Sequence, residues 1–292
     1  MKNLKRSQIL TSNYPYYKYS LNYALDSLHR MGAEQIEFYA CFPHFHMDDI
    51  TYRDIKSLKK KLKDFGLKAM CVTPEQCLYP VNIAAFDIAA RNRSINVFKK
   101  TIETAAELEA DTIVTLCGYG TIDEKDEDVW KRSVDSMRIL GDMAEAYNIE
   151  MVLETSPREY TTTHTAKEAV RMIEEIGSPA VKGMIDTATL GFSKETMKQA
   201  VQDLGKYLRH VHVADGIPNG HLILGEGELD IRGMLHELDE VNYQGMLSLE
   251  ILNDKYMRTP HEAMQISFEM YYKLVDCLEK CLIYGHIRRV AD

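Results

Sequence analysis

Short apolar or β-branched segments alternate with amphipathic helical patterns along the whole chain, and eight such pairs can be counted. The predicted strands read, in chain order, SQILT, QIEFYA, KAMCVT, TIVTLC, IEMVLE, VKGMID, RHVHVA and GMLSLEI. Eight strand–helix units in 292 residues predict an α/β protein folded as a (β/α)8 TIM barrel. In such a barrel the strands are buried on both faces, and chemistry collects at their C-terminal ends.

A doubly wound open sheet is the competing fold. Its usual nucleotide-binding signatures, G-x-G-x-x-G or G-x-x-x-x-G-K-[ST] after the first strand, are missing from this sequence. No Pro/Gly/Ser-rich linker or change of composition divides the chain, so we expect residues 1–292 to form one domain. The acidic run DEKDED, Asp123 to Asp128, precedes an amphipathic pattern and is interpreted as the start of a helix rather than an ion site.

Composition narrows the expected setting and partners. The net charge of −9 gives no general attraction for phosphate backbones, so nucleic acid is disfavoured as a partner. The N-terminus has no sustained apolar segment and nowhere do 18 apolar residues run together, so neither an export signal nor a membrane span is expected. Cysteines without a C-x-x-C pair suit a reducing cytoplasm, and Cys277 and Cys281, one helical turn apart, are expected to pack together. We therefore expect a cytoplasmic protein.

Two histidines, His210 and His212, lie in the otherwise apolar segment YLRHVHVADG of the seventh predicted strand. Because they are two residues apart, both side chains project to the same side of that strand. A single histidine in such a place is more often a core residue whose nitrogens are satisfied by backbone carbonyls. The neighbouring strands decide between a structural and a chemical role.

Residues of metal-ligand type stand at the ends of the last four predicted strands. Glu154 ends strand five in VLET, and Asp186 ends strand six in MIDT. His212 follows in strand seven, and Glu250 ends strand eight in SLEI. Each is separated from the next by about one βα unit, so successive strands place one such side chain on the same rim of the barrel.

These four side chains predict a metal centre. Two glutamates, an aspartate and a histidine suit one divalent ion, with Mn²⁺ preferred and Co²⁺, Mg²⁺ or Zn²⁺ also compatible. Three carboxylates on adjacent strands would repel one another and would be costly to bury without a cation. The alternative requires a separate cation for each acid, and Lys182 and Arg209 are the nearest that these strands offer. His210, one pleat deeper, is expected to orient a ligand or a substrate oxygen.

Three further acids are candidate substrate contacts. Glu37 ends the segment QIEF and lies inside the barrel by strand parity. Glu159 follows strand five and could bind a substrate hydroxyl or orient Glu154, although a solvated loop acid is an equal alternative. Glu226 lies between two glycines in GEGE, where a tight loop over the site or a simple turn would explain it.

At these positions the sequence resembles the xylose-isomerase-like sugar epimerases and isomerases, including the ketose 3-epimerases. The resemblance rests on the order Glu, Asp, His, Glu, on HVHVADG and on GEGELD, and it extends over nearly the whole chain. The segments VTPEQCLYPVN (72–82), FPHFHMDD (42–49) and LGEGELDIRGML (224–235) are also similar. Through these segments the resemblance implies that His44, Glu75 and Tyr79 are substrate contacts.

The resemblance implies a metal-dependent epimerase that inverts C3 of a ketose, or of a ketoamine such as fructoselysine, through an enediolate. Glu154 and Glu250 would alternate as base and acid on the two faces of the carbon. Thr189 stands where the ketose 3-epimerases have a histidine, and no arginine follows His212 at their usual distance. These departures slightly favour the ketoamine over a simple ketohexose.

Other activities stay open at this point. A keto-sugar isomerase or dehydratase would use the same ions, and nothing in the sequence separates it from an epimerase. An AP endonuclease-type phosphodiesterase shares the barrel, but the acidic charge and the missing Asp-x-His after strand seven argue against it. A sugar-binding barrel without activity would not need the complete quartet. Homo-oligomerisation through the tyrosines of SNYPYYKYS is also left open.

Overall fold

The computed structural model describes residues 1–77, 80–217 and 219–276, in which eight parallel strands close into a barrel. Each strand pairs with the next in sequence, and β8 pairs with β1. The strands are β1 Ile9–Ser12, β2 Gln35–Ala40, β3 Lys68–Pro74, β4 Thr112–Thr115, β5 Glu150–Leu153, β6 Val181–Asp186, β7 Leu208–Val213 and β8 Met246–Leu249. The predicted (β/α)8 barrel is confirmed.

Helices cover the outside of the barrel and connect consecutive strands. One α-helix follows each strand, except that the connection from β6 to β7 carries two, α6 and α7. The helices are α1 Leu21–Arg30, α2 Tyr52–Asp64, α3 Ile88–Leu108, α4 Asp126–Tyr147, α5 Ala166–Ile176, α6 Leu190–Ser193, α7 Met197–Leu204, α8 Ile231–Glu240 and α9 Pro260–Asp276. This arrangement puts every βα loop at one end of the barrel.

Local signals explain where several helices begin and end. The Ser20 hydroxyl accepts a hydrogen bond from a backbone N–H of the first turn and caps α1. Gly32 and Gly66 follow α1 and α2 with φ of +78° and +70°, a left-handed conformation that glycine adopts without a Cβ clash. The acidic run 123–128 leads into α4, whose first turn carries three carboxylates, as predicted from the helix dipole.

Two apolar layers hold the barrel together. The larger one lies between the sheet and the helices and includes Ile36, Phe98 and Leu140. The smaller one fills the barrel interior and consists of Leu10, Cys71, Val114, Val152 and Met184. In the register of β6 and β7, Met184 pairs with His210, so this inner layer forms an apolar floor beneath the C-terminal rim.

The structure bears on some of the expectations about membrane spans and cysteines and leaves others outside the described residues. Among the described residues, no helix is both long and apolar enough to cross a membrane. Cys41, Cys71 and Cys117 are buried free thiols, and Cys77 is an exposed one. The predicted packing of Cys277 against Cys281 lies outside the described residues. That all of residues 1–292 form one domain stays a prediction.

Candidate metal centre

The four ligand-type side chains of strands five to eight lie together at the C-terminal rim. In the sheet register, Asp186 pairs with His212 across β6 and β7, so both stand at one height. The His212 Nδ1 atom lies 2.9 Å from Glu250 Oε2 and 3.6 Å from Glu154 Oε1. All four side chains are shielded, with exposed fractions of at most 15%.

His221 is a fifth member of this cluster, and the sequence analysis missed it. Its Nε2 atom lies 3.3 Å from Asp186 Oδ2 and 3.3 Å from Glu250 Oε2. The residue belongs to the loop between β7 and α8. In a loop, unlike a strand, alternation along the sequence does not predict the direction of a side chain. The available signal was a histidine shortly before the GEGELD segment, in a loop expected at the same rim.

The loop that carries His221 is held by the buried carboxylate of Asp215. Asp215 forms an antiparallel bridge with Leu222, the residue after His221. Its carboxylate accepts hydrogen bonds from the backbone N–H groups of Gly225, at 2.9 Å, and Leu229, at 3.1 Å. A Cβ at Gly227 would overlap Asp215 Oδ1, so this close approach requires glycine.

Glu37 lies beneath the cluster and sets the orientation of His212. Its Oε1 atom accepts hydrogen bonds from Tyr14 (3.1 Å), Thr73 (2.7 Å) and His212 Nε2 (2.9 Å), and its Oε2 atom accepts from His210 Nε2 (2.8 Å). Burial acts to raise the pKa of Glu37, but the charges of His212 and His210 outweigh it and hold that pKa well below its ordinary value. An ionised Glu37 can only accept, so His212 donates from Nε2 and presents Nδ1 to the cluster.

The structure thus places Glu37 and His210 in contact with His212. Glu37 is fully buried, with four donors on its two oxygens. The prediction that Glu37 touches substrate stays a prediction, whereas its contact with His212 is direct. His210 bonds to Glu37, and its predicted orienting role stays a prediction.

The donor set fits a metal ion. Although His212 Nδ1 and Glu250 Oε2 are 2.9 Å apart, their geometry does not make a hydrogen bond, and among the described residues neither buried atom has a hydrogen-bond partner. Two donors that share one ion at about 2.1 Å each are separated by roughly 3.0 to 3.4 Å in octahedral or tetrahedral geometry. The distances from His212 to Glu250 and Glu154, and from His221 to Asp186 and Glu250, run from 2.9 to 3.6 Å. The donors form two candidate groups, Glu154–His212–Glu250 and Asp186–His221–Glu250, which share Glu250, and this spacing is compatible with a bound divalent ion.

Glu154 and Glu250 differ in proton affinity. Burial raises the pKa of Glu154 to about 7, although its contact with His212 opposes the rise. Burial acts in the same direction on Glu250, but the charges of His212 and His221 outweigh it and hold the pKa of Glu250 at about 2. The pair can therefore hold a proton on one carboxyl group while the other is ionised, as acid–base chemistry requires.

The other predicted substrate residues lie around the rim in varied surroundings. Both ring nitrogens of His44 are engaged, with the Asn13 side chain and the Tyr19 carbonyl at 2.9 Å each. Glu75 is buried, accepts the backbone N–H of Cys77 at 2.6 Å, and also bonds to the Tyr39 hydroxyl. These contacts tie His44 to the loop after β1, and Glu75 to its own loop and to β2.

The remaining predicted contacts are less tightly held. Glu226 Oε2 lies 2.6 Å from both the Tyr256 hydroxyl and Lys255 Nζ, so this oxygen is already paired. Glu159 is exposed on the loop after β5. Tyr79 lies outside the described residues. Thr189 is buried and donates to backbone carbonyls, so its hydroxyl is part of the scaffold under the rim.

Comparisons with known proteins agree with this architecture. The chain is 24% identical to fructoselysine 3-epimerase of Shigella flexneri over 259 residues, which cover 87% of this chain and 93% of that protein. It is also 24% identical to D-psicose 3-epimerase of Agrobacterium fabrum over 234 residues, or 77% of each chain. A crystal structure of the protein IOLI with a bound zinc atom superimposes with a TM-score of 0.74 at 20% identity, over 92% of this chain and 98% of that one. A family model described as xylose isomerase-like TIM barrel matches residues 25–274, and the chain belongs to that family.

Proposed function

We propose that this protein is a divalent-metal-dependent epimerase that inverts C3 of a ketose or of a fructoselysine-like ketoamine. The observation that carries the proposal is the common-ion spacing of Glu154, His212 and Glu250, with two buried atoms that lack hydrogen-bond partners. The similarity to enzymes named 3-epimerases supports the reaction class. Mn²⁺ is the proposed ion, because a site with one or two imidazoles and three carboxylates is of hard-to-borderline character.

The protein's own residues divide the work. Asp186 and His212 would serve mainly to hold the ion, and Glu37 fixes the imidazole of His212 from below. Once bound, a divalent ion would polarise the C2 carbonyl and stabilise the negative charge that develops on its oxygen. Glu154 and Glu250 are the proposed acid–base pair, one removing the proton from C3 and the other returning a proton to the opposite face.

The metal requirement is tested by chelation and refilling. We expect activity to disappear with the ion and to return when one divalent ion per chain is restored, measured by elemental analysis alongside turnover. Full activity without bound metal, or three zinc ions per chain, would contradict the proposal.

The reaction itself is tested by turnover of fructoselysine and of free ketohexoses in D₂O. A 3-epimerase should place deuterium at C3, invert that centre and retain the C2 carbonyl, all of which are visible by proton NMR. A keto-sugar isomerase would move the carbonyl and label C1 or C2, and a dehydratase would release water irreversibly. Either result would refute the epimerase and leave the metal centre standing.

A further inference from the structure

A cavity of about 570 Å³ opens at the same end of the barrel as the candidate metal centre, between the loop after β4 and the loop after β5. None of the five clustered side chains lines it, so it is a separate space at the same end of the barrel. Its size is that of a site for a small organic molecule. A free hexose that reacts at the metal centre would leave this cavity unused.

One wall of the cavity offers a cation. Arg158 is 70% exposed and reaches Glu168 only at 3.9 Å. Glu168 is already committed, because its Oε2 atom accepts the backbone N–H groups of His164 and Thr165 at the start of α5. The cavity's other guanidinium, Arg171, lies 4.3 Å from the ring of Trp130 and is bonded to a glutamate of its own helix. Arg158 is therefore the guanidinium best able to bind a ligand's anion.

The other wall offers anions. Asp126 and Glu127 line the cavity from the first turn of α4. Neither forms an ion pair with any residue in the described part of the chain. The fully exposed side chain of Ile122 and the ring of Trp130 add apolar surface between the two charges. A guanidinium, a pair of carboxylates and an apolar wall are complementary to an α-amino acid with its carboxylate, its ammonium group and its aliphatic chain.

The upper limit that the chain sets on the distance from the candidate metal centre is compatible with such a ligand attached to a sugar. Arg158 follows Glu154 by four residues, and four residues span at most about 14 Å. Seven bonds separate the carbonyl carbon of an Nε-linked fructosyl-lysine from the α-carbon of its lysine, which is roughly 9 Å when extended. The guanidinium side chain extends the reach of Arg158 toward that carboxylate.

We propose that this cavity binds the α-amino acid end of a ketoamine whose sugar end reacts at the metal centre. The inference rests on the proposed function and narrows its substrate to sugars joined through an amine to an amino acid. Arg158 binds the α-carboxylate, and Asp126 and Glu127 bind the α-ammonium group. These residues select the substrate and take no part in the chemistry at C3.

The test measures the kinetics of one variant and its matched control with three substrates. Arg158→Gln removes the charge of an exposed side chain, and Arg53→Gln removes the same charge from an exposed position on α2 as the matched control. The substrates are fructoselysine, its α-carboxamide, which lacks the carboxylate, and D-psicose, which lacks the whole amino acid. We expect Arg158→Gln to lower kcat/KM for fructoselysine by about 10- to 100-fold. The values for the carboxamide and D-psicose should be unchanged, and Arg53→Gln should alter none of the three.

A second variant tests the opposite wall. The double change Asp126→Asn and Glu127→Gln should lower kcat/KM for fructoselysine but not for its Nα-acetyl derivative, which carries no α-ammonium group. Equal effects of Arg158→Gln on all three substrates, or no effect on fructoselysine, would overturn the inference while the epimerase proposal stands. If the metal-loaded wild-type protein turns over neither fructoselysine nor D-psicose, the proposed function fails and this inference fails with it.

Discussion

Replacing Glu37 by glutamine tests how the protein prepares His212 to bind an ion. The change keeps the shape of the side chain and removes its charge. The glutamine oxygen can still accept from His212, Tyr14 and Thr73 if the new amide NH₂ group faces His210, whose ring can offer a lone pair instead. We therefore expect the fold to survive and the charge-assisted character of the bond to His212 to be lost.

The magnitude follows from that bond. A hydrogen bond to a charged group contributes about 1.5–3 kcal/mol, against about 1 kcal/mol for a neutral one. Losing an outer carboxylate that orients a metal-bound histidine typically lowers metal affinity about 10- to 100-fold. This corresponds to about 1.4–2.7 kcal/mol, which overlaps the difference of about 0.5–2 kcal/mol between the charged and the neutral hydrogen bond.

The assay is a competition between the protein and a chromophoric chelator for Mn²⁺, with circular dichroism of the metal-free protein as the check on folding. Thr73→Val is the matched control, because it removes one donor at 2.7 Å from Glu37 and leaves the carboxylate charge in place. Its effect on affinity should be smaller, about fivefold. The same preparations give the KM for substrate at saturating metal.

The result that would refute the reasoning is unchanged metal affinity in a folded Glu37→Gln protein. A raised KM with unchanged affinity would favour the direct substrate contact predicted from strand parity instead. A loss of metal affinity in Thr73→Val equal to that in Glu37→Gln would mean that the charge of Glu37 is not what strengthens metal binding.

Three further expectations concern the cluster itself. Glu154→Gln and Glu250→Gln should each lower kcat by about 10²–10⁴-fold with circular dichroism unchanged, while His210→Asn costs less; near-normal turnover in either glutamine variant would remove that residue from the mechanism. His221→Asn should weaken Mn²⁺ binding in the chelator competition, because it takes away one donor; unchanged affinity would leave His221 outside the site. Glu37 and Glu250 raise the pKa of His212 well above its usual value against the effect of burial, so Nδ1 holds a proton that an ion must displace. Glu250 and Asp186 likewise raise the pKa of His221 well above its usual value against the effect of burial, and the pKa of Glu154 is about 7. Mn²⁺ held by all three residues should therefore release roughly two to three protons near neutral pH and bind more weakly as pH falls. Calorimetry in buffers of different ionisation enthalpy measures the release, and none would contradict the assignment of Nδ1 as a ligand atom.

The barrel could be predicted from sequence because its cause is local and repeated. Eight apolar segments, each followed by an amphipathic pattern, leave few other ways to bury both faces of every strand. The positions of the candidate ligands at one rim followed from the same rule, since Glu154, Asp186 and Glu250 stand where strands end. The register of the parallel strands then brings Asp186 of β6 next to His212 of β7.

The rest of the site depends on loops and on contacts between distant residues. His221 reaches the cluster only because Asp215 anchors its loop, an effect that no periodicity encodes. Strand parity put Glu37 inside the barrel, but its contact with His212 joins residues far apart in sequence. The segments that resemble sugar epimerases place His44 and Glu226 in βα loops, where the loop after β1 engages His44 and Tyr256, after β8, engages Glu226.

The anchoring of one loop by Asp215 has an evolutionary consequence. Four of the clustered residues stand on or beside strands of one closed sheet, where a change of position would disturb the whole barrel. His221 alone is carried by a segment that can be lengthened or replaced without touching that sheet. Related sequences can therefore vary the C-terminal rim of the barrel through this loop while the eight-stranded sheet stays unchanged. Gly227 is the exception, because any larger residue there would press on Asp215, and purifying selection should preserve it although it contacts none of the five.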